Sequence, residues 1–307
     1  MAHDKTVLAL PPALSGECFV LDDPRAGRLA VYAGPRATRE GVPLLLVHSV
    51  NAAACAFEVR PLFEHYGASR PTYALDLPGF GLSDRRAREY TPRLMTDALH
   101  AVVGEIRRRH GDGPIDALAL SLSSEYLARA ATEDRPAFRT LALVSPTGFS
   151  GTRVRRGPPG GTRALPGLHG LLAFGLWDDA LYGLLTRPRV IRYFLERTWG
   201  SKKIDEALWA YDVLTVRQPG AKNAPLYFLS GALFSADVNA LYDALTMPVW
   251  MSHGVRGDFV DYRGAKAMRA YANWHFTTFR TGALPQFEVP GEFIEAYDAF
   301  LRACETT

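Results

Sequence analysis

The sequence predicts an α/β fold, in which a mostly parallel central sheet is covered by helices on both faces. Two observations lead to this prediction. Short apolar runs, of the kind that buried parallel strands need, alternate with segments whose apolar residues recur at helical spacing. One run, 115–120, ends at Ser121 and passes directly into the residues of a predicted helix. A strand that turns into a helix at a serine has the geometry of a nucleophile elbow.

Strands and helices alternate through the first half of the chain. The predicted strands are 17–21, 28–34, 43–48, 71–75, 115–120 and 140–144, of which the first two form a hairpin. Helices are predicted over 52–65, after Thr91-Pro92 and after Ser121. Thr91 is a suitable cap, and Pro92 suits the first helical position.

The alternation stops after residue 147 and resumes near residue 246. Residues 148–245 begin with a segment rich in glycine, proline and arginine, and then become helical in pattern and rich in aromatic side chains. We therefore expect a core made of residues 1–147 and 246–307, with 148–245 as a helical cap over the sheet. The last part of the chain predicts strands at 247–253 and 276–280, a helix near 262–271 and an amphipathic helix from Pro290.

The composition is that of a folded protein of ordinary size. A chain of 307 residues with 48% hydrophobic side chains can hold one large domain with an insertion. The net charge of +3 is too small to indicate nucleic acid or an anionic membrane surface as a partner. Cys18, Cys55 and Cys304 have no metal-like spacing, so we expect no metal and no cofactor. Without a signal-like N-terminus or a membrane-spanning tract, a cytoplasmic location is expected.

The residues around Ser121 suit a tight corner. Such a corner requires small residues two positions before and two positions after the serine, and these are Ala119 and Ser123. The alternative is that Ser121 is an ordinary N-cap of the following helix.

Further motifs follow in a fixed order along the chain. They are LLLVHS at 44–49, DLPGFGLSD at 76–84, ALSLS at 119–123, PVWMSHGVRGD at 248–258 and TGALPQFEVP at 281–290. Together they resemble the α/β-hydrolase superfamily, of the serine hydrolase type, over nearly the whole chain. The segment at 76–84 matches the family pattern D-x-P-G-x-G-x-S and is the most specific of the five.

The resemblance implies roles for individual residues. Ser121 takes the position of the nucleophile, and the backbone N–H groups of Val50 and Leu122 take those of the oxyanion hole. Asp258 takes the position of the catalytic acid, with Asp261 as the alternative because the loop is about one residue longer than is common.

The position of the family's catalytic histidine is occupied by Ala283, although the flanking residues align without a gap. A serine hydroxyl without a base stays protonated and is a weak nucleophile. In a serine protease, loss of the triad histidine costs on the order of 10⁶ in turnover and leaves about 10³–10⁴ over water. Ser49 and Ser123-Ser124 also replace glycines of the family pattern.

None of the eight histidines is an obvious substitute. We expect structural roles for His48 and His253, which end strands. His275 precedes the predicted last strand, at the far edge of the sheet from Ser121, whereas His169 lies in the insertion and could reach the pocket. The remaining four, on a tail, helices or a loop away from the site, are His3, His65, His100 and His110.

Three functions remain open. The first is a serine hydrolase acting on an ester- or acyl-type small apolar substrate, with weak or atypical catalysis. The alternative is a non-catalytic pseudoenzyme that keeps the pocket for a small ligand or a partner protein; an interaction scaffold without a ligand is the third possibility. In each case with a ligand we expect a pocket above Ser121 lined by aromatic residues of the insertion. Its candidate residues are His48, Asn51 and Trp177.

Overall fold

The computed structural model describes residues 9–37, 40–151 and 154–305. These residues form one sheet of eight strands. The strands are β1 (Glu17–Asp23), β2 (Gly27–Ala33), β3 (Leu44–Val47), β4 (Thr72–Leu75), β5 (Ile115–Leu120), β6 (Phe138–Val144), β7 (Val249–Gly254) and β8 (Trp274–Phe279). Their spatial order is β1-β2-β4-β3-β5-β6-β7-β8. The β1–β2 and β2–β4 pairs are antiparallel and the other pairs are parallel, which confirms the predicted mostly parallel sheet.

The same residues contain eleven α-helices. They are α1 (Arg60–Gly67), α2 (Pro92–His110), α3 (Ser123–Glu133), α4 (Leu168–Leu172), α5 (Asp178–Leu185), α6 (Pro188–Trp199), α7 (Glu206–Thr215), α8 (Asn223–Leu229), α9 (Val238–Asp243), α10 (Pro285–Glu288) and α11 (Pro290–Glu305). Short 3₁₀ helices cover Ala56–Val59, Arg135–Ala137 and Arg263–Ala270. Helices α4 to α9 all lie between β6 and β7 in the chain, in the segment predicted to be an insertion.

Three predicted elements are corrected. The helix predicted over 52–65 begins at Arg60, next to Pro61, and is preceded by a 3₁₀ turn. The helix near 262–271 is a 3₁₀ helix. The last strand starts at Trp274, so His275 lies within β8 and pairs with Trp250. His275 is nevertheless at the beginning of a parallel strand, at the edge of the sheet opposite to Ser121.

Alternate residues of the central strands pack against helices on opposite faces of the sheet. Leu45 and Val47 lie in a core with residues of α2 and α3. Leu44 and Leu46 lie in a second core with residues of α1 and α11. All four side chains are fully buried, because a strand that is covered on both faces has no solvent-facing side.

The segment at 76–84 is built around the buried carboxylate of Asp76. This carboxylate accepts hydrogen bonds from the Tyr32 hydroxyl at 2.7 Å, the Ala56 N–H at 2.8 Å and the Leu82 N–H at 2.9 Å. Gly81 has a φ of +49°, and a Cβ atom there would lie 1.9 Å from the Asp76 carboxyl carbon. The motif therefore joins β2, β4 and the residues before α1 at the edge of the sheet where Ser121 lies.

Replacing Asp116 with alanine is expected to lower the free energy of unfolding by about 3 kcal/mol, because two arginines lose a buried carboxylate. Asp116 is fully buried at the start of β5 and accepts hydrogen bonds from Arg70 at 2.5 Å and from Arg139 at 2.6 and 2.8 Å. Urea denaturation measures the change. Asp22→Ala removes an exposed ion pair and should cost less than about 0.5 kcal/mol. Equal losses in the two variants would contradict this account of Asp116.

Candidate functional site

Ser121 lies on a strained corner between β5 and α3. Its φ is +51°, and among the described residues Ser145 is the only other non-glycine residue with positive φ. The Ser121 N–H donates to the Val144 carbonyl at 2.8 Å. Ala119 and Ser123 are both fully buried beside the corner. The predicted elbow geometry is confirmed, and the residue that caps α3 is Leu122, with no side-chain cap.

The two amides predicted for an oxyanion hole lie at the ends of neighbouring strands. Leu122 follows Ser121, and Val50 lies in the turn after β3. Because Val47 pairs with Ala119 in parallel register, both turns lie at the same edge of the sheet. In the part of the chain that the structure describes, neither N–H donates to another protein group. Both remain candidates for binding a ligand oxygen, and the N-terminus of α3 favours negative charge there.

The turn that carries Val50 is held by Glu58, a residue that the sequence analysis missed. Glu58 is buried, and its carboxylate accepts hydrogen bonds from the Ser49 N–H at 2.7 Å, the Ser49 hydroxyl at 3.0 Å and the Asn51 side-chain amide at 2.9 Å. The Asn51 side-chain oxygen accepts from the Ala53 N–H at 2.7 Å. The sequence offered one indication of this role: Glu58 is a carboxylate within the otherwise apolar segment AFEV at 56–59.

His48 is a structural residue beneath this turn. Its ring is fully buried, and burial lowers its pKa. Nδ1 donates to the Ser49 carbonyl at 2.6 Å, and Nε2 accepts from the Leu77 N–H at 2.9 Å. The Ser123 hydroxyl donates to the His48 carbonyl at 2.5 Å. Both ring nitrogens are therefore occupied, so this imidazole is not free to act as a base.

In the described ranges, the Ser121 hydroxyl forms no hydrogen bond with any side chain. No imidazole is therefore hydrogen-bonded to Ser121 there. His169 stacks on Tyr227 within the insertion, with ring centroids 3.6 Å apart. His253 hydrogen-bonds the Gly254 carbonyl at 2.8 Å and stacks on Tyr262.

The two candidate acids are engaged elsewhere. Asp258 has 40% of its side chain exposed and accepts a hydrogen bond from Nε of Arg197, on α6, at 2.5 Å. Asp261 pairs with Arg263 at 2.9 Å and accepts from the Gly151 N–H at 2.8 Å, and these contacts lower its pKa. The structure therefore joins neither carboxylate to Ser121.

Ala283 is buried under the insertion. Its N–H donates to the Thr198 carbonyl, at the end of α6, at 2.9 Å. Its carbonyl accepts a hydrogen bond from the Ser145 hydroxyl at 2.7 Å. At Gly282 a Cβ atom would lie 2.4 Å from the Thr198 carbonyl oxygen. The insertion thus closes directly over the position where the histidine was expected.

Trp177, one of the side chains predicted to line a pocket above Ser121, is partly exposed to solvent. Trp177 is 42% exposed, packs on Phe174 and donates its indole N–H to the Leu171 carbonyl at 2.9 Å. Two surface clefts, of about 830 and 470 Å³, lie elsewhere. One is next to α2 and the other next to Asp258, and neither is lined by Ser121. The ligand pocket remains a prediction.

Glu125 joins α3 to the predicted insertion and was also missed by the sequence analysis. It is fully buried four residues after Ser121. Its carboxyl accepts hydrogen bonds from the Thr147 hydroxyl at 2.5 Å and from the Ser235 N–H at 2.7 Å. Burial raises its pKa to about 7, so this group changes charge near neutral pH.

Glu125→Gln is expected to flatten the pH dependence of stability. The folded-state pKa of Glu125 is raised from 4.5 to about 7. Its contribution to stability is therefore fully present below pH 4.5 and is lost as the pH rises through 7, a loss of about 3 kcal/mol. Urea denaturation at pH 5 and pH 8 should show a smaller difference in Glu125→Gln than in wild type. The exposed control Glu292→Gln should behave like wild type, and equal slopes in all three proteins would contradict the assignment.

Comparisons with known proteins agree with this fold. The model of the alpha/beta hydrolase family matches residues 44–296. The chain is similar in structure to a probable hydrolytic enzyme from Pseudomonas aeruginosa PAO1, with a TM-score of 0.73, 19% identity and coverage of 94% of this chain and 95% of that one. It is also similar to a serine hydrolase involved in carbazole degradation, with a TM-score of 0.71, 15% identity and coverage of 94% and 100%. A third similar structure is the enol-lactonase from Burkholderia xenovorans LB400, with a TM-score of 0.67, 13% identity and coverage of 90% and 96%. A search of the curated proteins finds no match.

The described residues contain neither a membrane-spanning helix nor a cluster of metal-binding side chains. None of their helices has the length and apolar character needed to cross a bilayer. No group of three or more histidine, cysteine, aspartate or glutamate side chains in these residues is arranged to hold a metal ion. The family match covers most of the chain, and the strand order and the Ser121 corner agree with it. The protein belongs to the alpha/beta hydrolase family.

Proposed function

We propose that this protein binds a small apolar ligand of the ester or acyl type at Ser121 and hydrolyses it slowly, as a serine hydrolase with an incomplete triad. One observation carries the proposal: Ser121 lies on a strained corner at the same sheet edge as the N–H groups of Val50 and Leu122, which find no protein partner among the described residues. A structural role alone requires neither the strain nor the free amides.

The chemistry follows from these three groups. The Ser121 oxygen attacks the carbonyl carbon and loses its proton to water, while the N–H groups of Val50 and Leu122 stabilise the negative charge on the carbonyl oxygen. The alcohol part of the ester then leaves with a proton from water, and a second water molecule hydrolyses the acyl-serine. Because no base assists either attack, both steps are slow, at about 10³–10⁴ over the uncatalysed reaction.

The ligand class and the domain division belong to the same proposal. We take residues 1–147 and 246–307 as the core and 148–245 as the cap. In support, the cap contacts the core close to the site, through Thr198 on Ala283 and through Arg85, which donates to the Thr215 carbonyl at 2.7 Å. A cap rich in aromatic side chains favours an apolar ligand. A cytoplasmic location is also proposed, since the three cysteines are unpaired in the described structure.

The second candidate is a non-catalytic ligand-binding protein. The contacts of Ala283 and Asp258 favour it, because each of these positions is tied to α6 instead of to Ser121. In this case the same pocket would bind a ligand without turnover.

Reaction with an alkyl fluorophosphonate and with p-nitrophenyl acetate separates the candidates. We expect intact mass spectrometry to show one adduct on Ser121 in wild type and none in Ser121→Ala, with slow release of p-nitrophenol. Labelling of Ser121 without turnover would favour the binding protein. An unlabelled Ser121 would exclude the hydrolase, and rapid turnover abolished by Ser121→Ala would show that another residue supplies the base.

Ala283→His is expected to raise the esterase rate by about 10²-fold, because an imidazole near Ser121 supplies the missing base. The gain should increase when Arg197→Ala is added, since this change frees Asp258 to orient the new ring. Steady-state hydrolysis of p-nitrophenyl acetate measures both effects, and thermal melting shows whether the buried ring is accommodated. The Ser121→Ala/Ala283→His double variant is the control and should be inactive. A folded Ala283→His variant that is no faster than wild type would show that residue 283 does not face Ser121.

A further inference from the structure

We propose that Glu58 is a positioning residue of the oxyanion hole and that its carboxylate holds the Ser49–Val50 peptide so that the Val50 N–H points to the ligand oxygen. This inference rests on the proposed function. It gives Glu58, a buried acidic residue outside the triad, a role in stabilising the transition state.

The argument begins with the geometry of one peptide group. The carbonyl of Ser49 and the N–H of Val50 belong to the same planar trans peptide and point in opposite directions. The Ser49 carbonyl accepts a hydrogen bond from Nδ1 of His48 at 2.6 Å. The N–H must therefore point away from the buried imidazole, and it has no partner in the described protein.

Glu58 holds the residue before Val50 and the residue after it by hydrogen bonds. It binds the N–H and the hydroxyl of Ser49 at 2.7 and 3.0 Å, and the side-chain amide of Asn51 at 2.9 Å. The Asn51 amide also contacts the Ser49 hydroxyl at 3.1 Å. Every group that binds the Glu58 carboxylate is a hydrogen-bond donor. This single carboxylate therefore orients both Ser49 and Asn51, the two neighbours of Val50. A preorganised N–H costs no reorganisation when charge develops on the ligand.

The surroundings of Glu58 keep this arrangement in place. Only 4% of the residue is exposed, and the Glu58 backbone carbonyl accepts from Nε2 of Gln286 at 3.1 Å. Asp212 of α7 is the nearby acidic group on the cap side, and burial together with the Glu58 carboxylate raises the pKa of Asp212. The carboxylate of Asp76, on the core side, accepts hydrogen bonds from Tyr32, Ala56 and Leu82.

Glu58→Gln tests the inference, because it keeps the shape of the side chain and places an NH₂ group among donors. We expect the maximal rate of Ser121 labelling by the fluorophosphonate to fall about 10- to 100-fold, up to the effect of losing an oxyanion donor. The concentration for half-maximal rate should change less than about threefold, since ground-state binding does not use the oxyanion hole. Glu58→Asp should not rescue the rate, because its carboxylate is one methylene too short to reach Ser49 and Asn51 together.

Matched controls separate positioning from general loosening of the fold. Glu64→Gln makes the same chemical change on an exposed carboxylate of α1 and should label like wild type. Ser49→Gly removes the hydroxyl contact but keeps the N–H contact, so its loss should stay below about threefold. Wild-type labelling in folded Glu58→Gln would overturn the inference, as would a parallel loss of rate, binding and melting temperature. An unlabelled wild-type protein would instead overturn the proposed function, and the inference with it.

Discussion

The left-handed corner at Ser121 is the constraint on which the rest of the site depends. A non-glycine residue at positive φ costs about 1–3 kcal/mol and persists only where its surroundings hold it. Here the Ser121 N–H is bound to β6, and the Ser124 N–H is bound to the Ser121 carbonyl. The sharp turn leaves room only for small residues at Ala119 and Ser123. It also starts α3 at once, which leaves the Leu122 N–H without an intrahelical partner.

The serines that replace glycines of the family pattern are integrated into this arrangement. A buried hydroxyl needs a hydrogen-bond partner, or it destabilises the fold. Ser49 finds its partner in the Glu58 carboxylate, and Ser123 in the His48 carbonyl. These two contacts join the turn after β3 to α3 and to the residues before α1. The hydroxyls of Ser49 and Ser123 therefore add hydrogen bonds to the region around the candidate oxyanion hole.

The predicted insertion forms polar contacts with the loops of Asp258 and Ala283 and with helix α3. Thr198 accepts from the Ala283 N–H, Arg197 pairs with Asp258, and the Ser235 N–H donates to Glu125. These contacts are hydrogen bonds and ion pairs that stabilise the position of the insertion on the sheet. The chain thus has the fold of the alpha/beta hydrolase family, while Asp258 and Ala283 form polar contacts with α6.

The sequence alone determined the architecture and the backbone of the site. Alternating apolar runs are enough to predict a parallel sheet, and small residues around Ser121 are enough to predict the corner, because both are local properties of the chain. The expectation that Ala283 occupies the histidine position of the family pattern also comes from the sequence alone and stays a prediction. Only the tertiary structure showed that residues 52–59 are not α-helical, since the Ala56 N–H is donated to Asp76, twenty residues away. Only the tertiary structure showed that Glu58 contacts Ser49, that Asp258 contacts Arg197 and that Ala283 contacts Thr198. Polar pairs between separate elements follow no sequence period, because they depend on how those elements pack together.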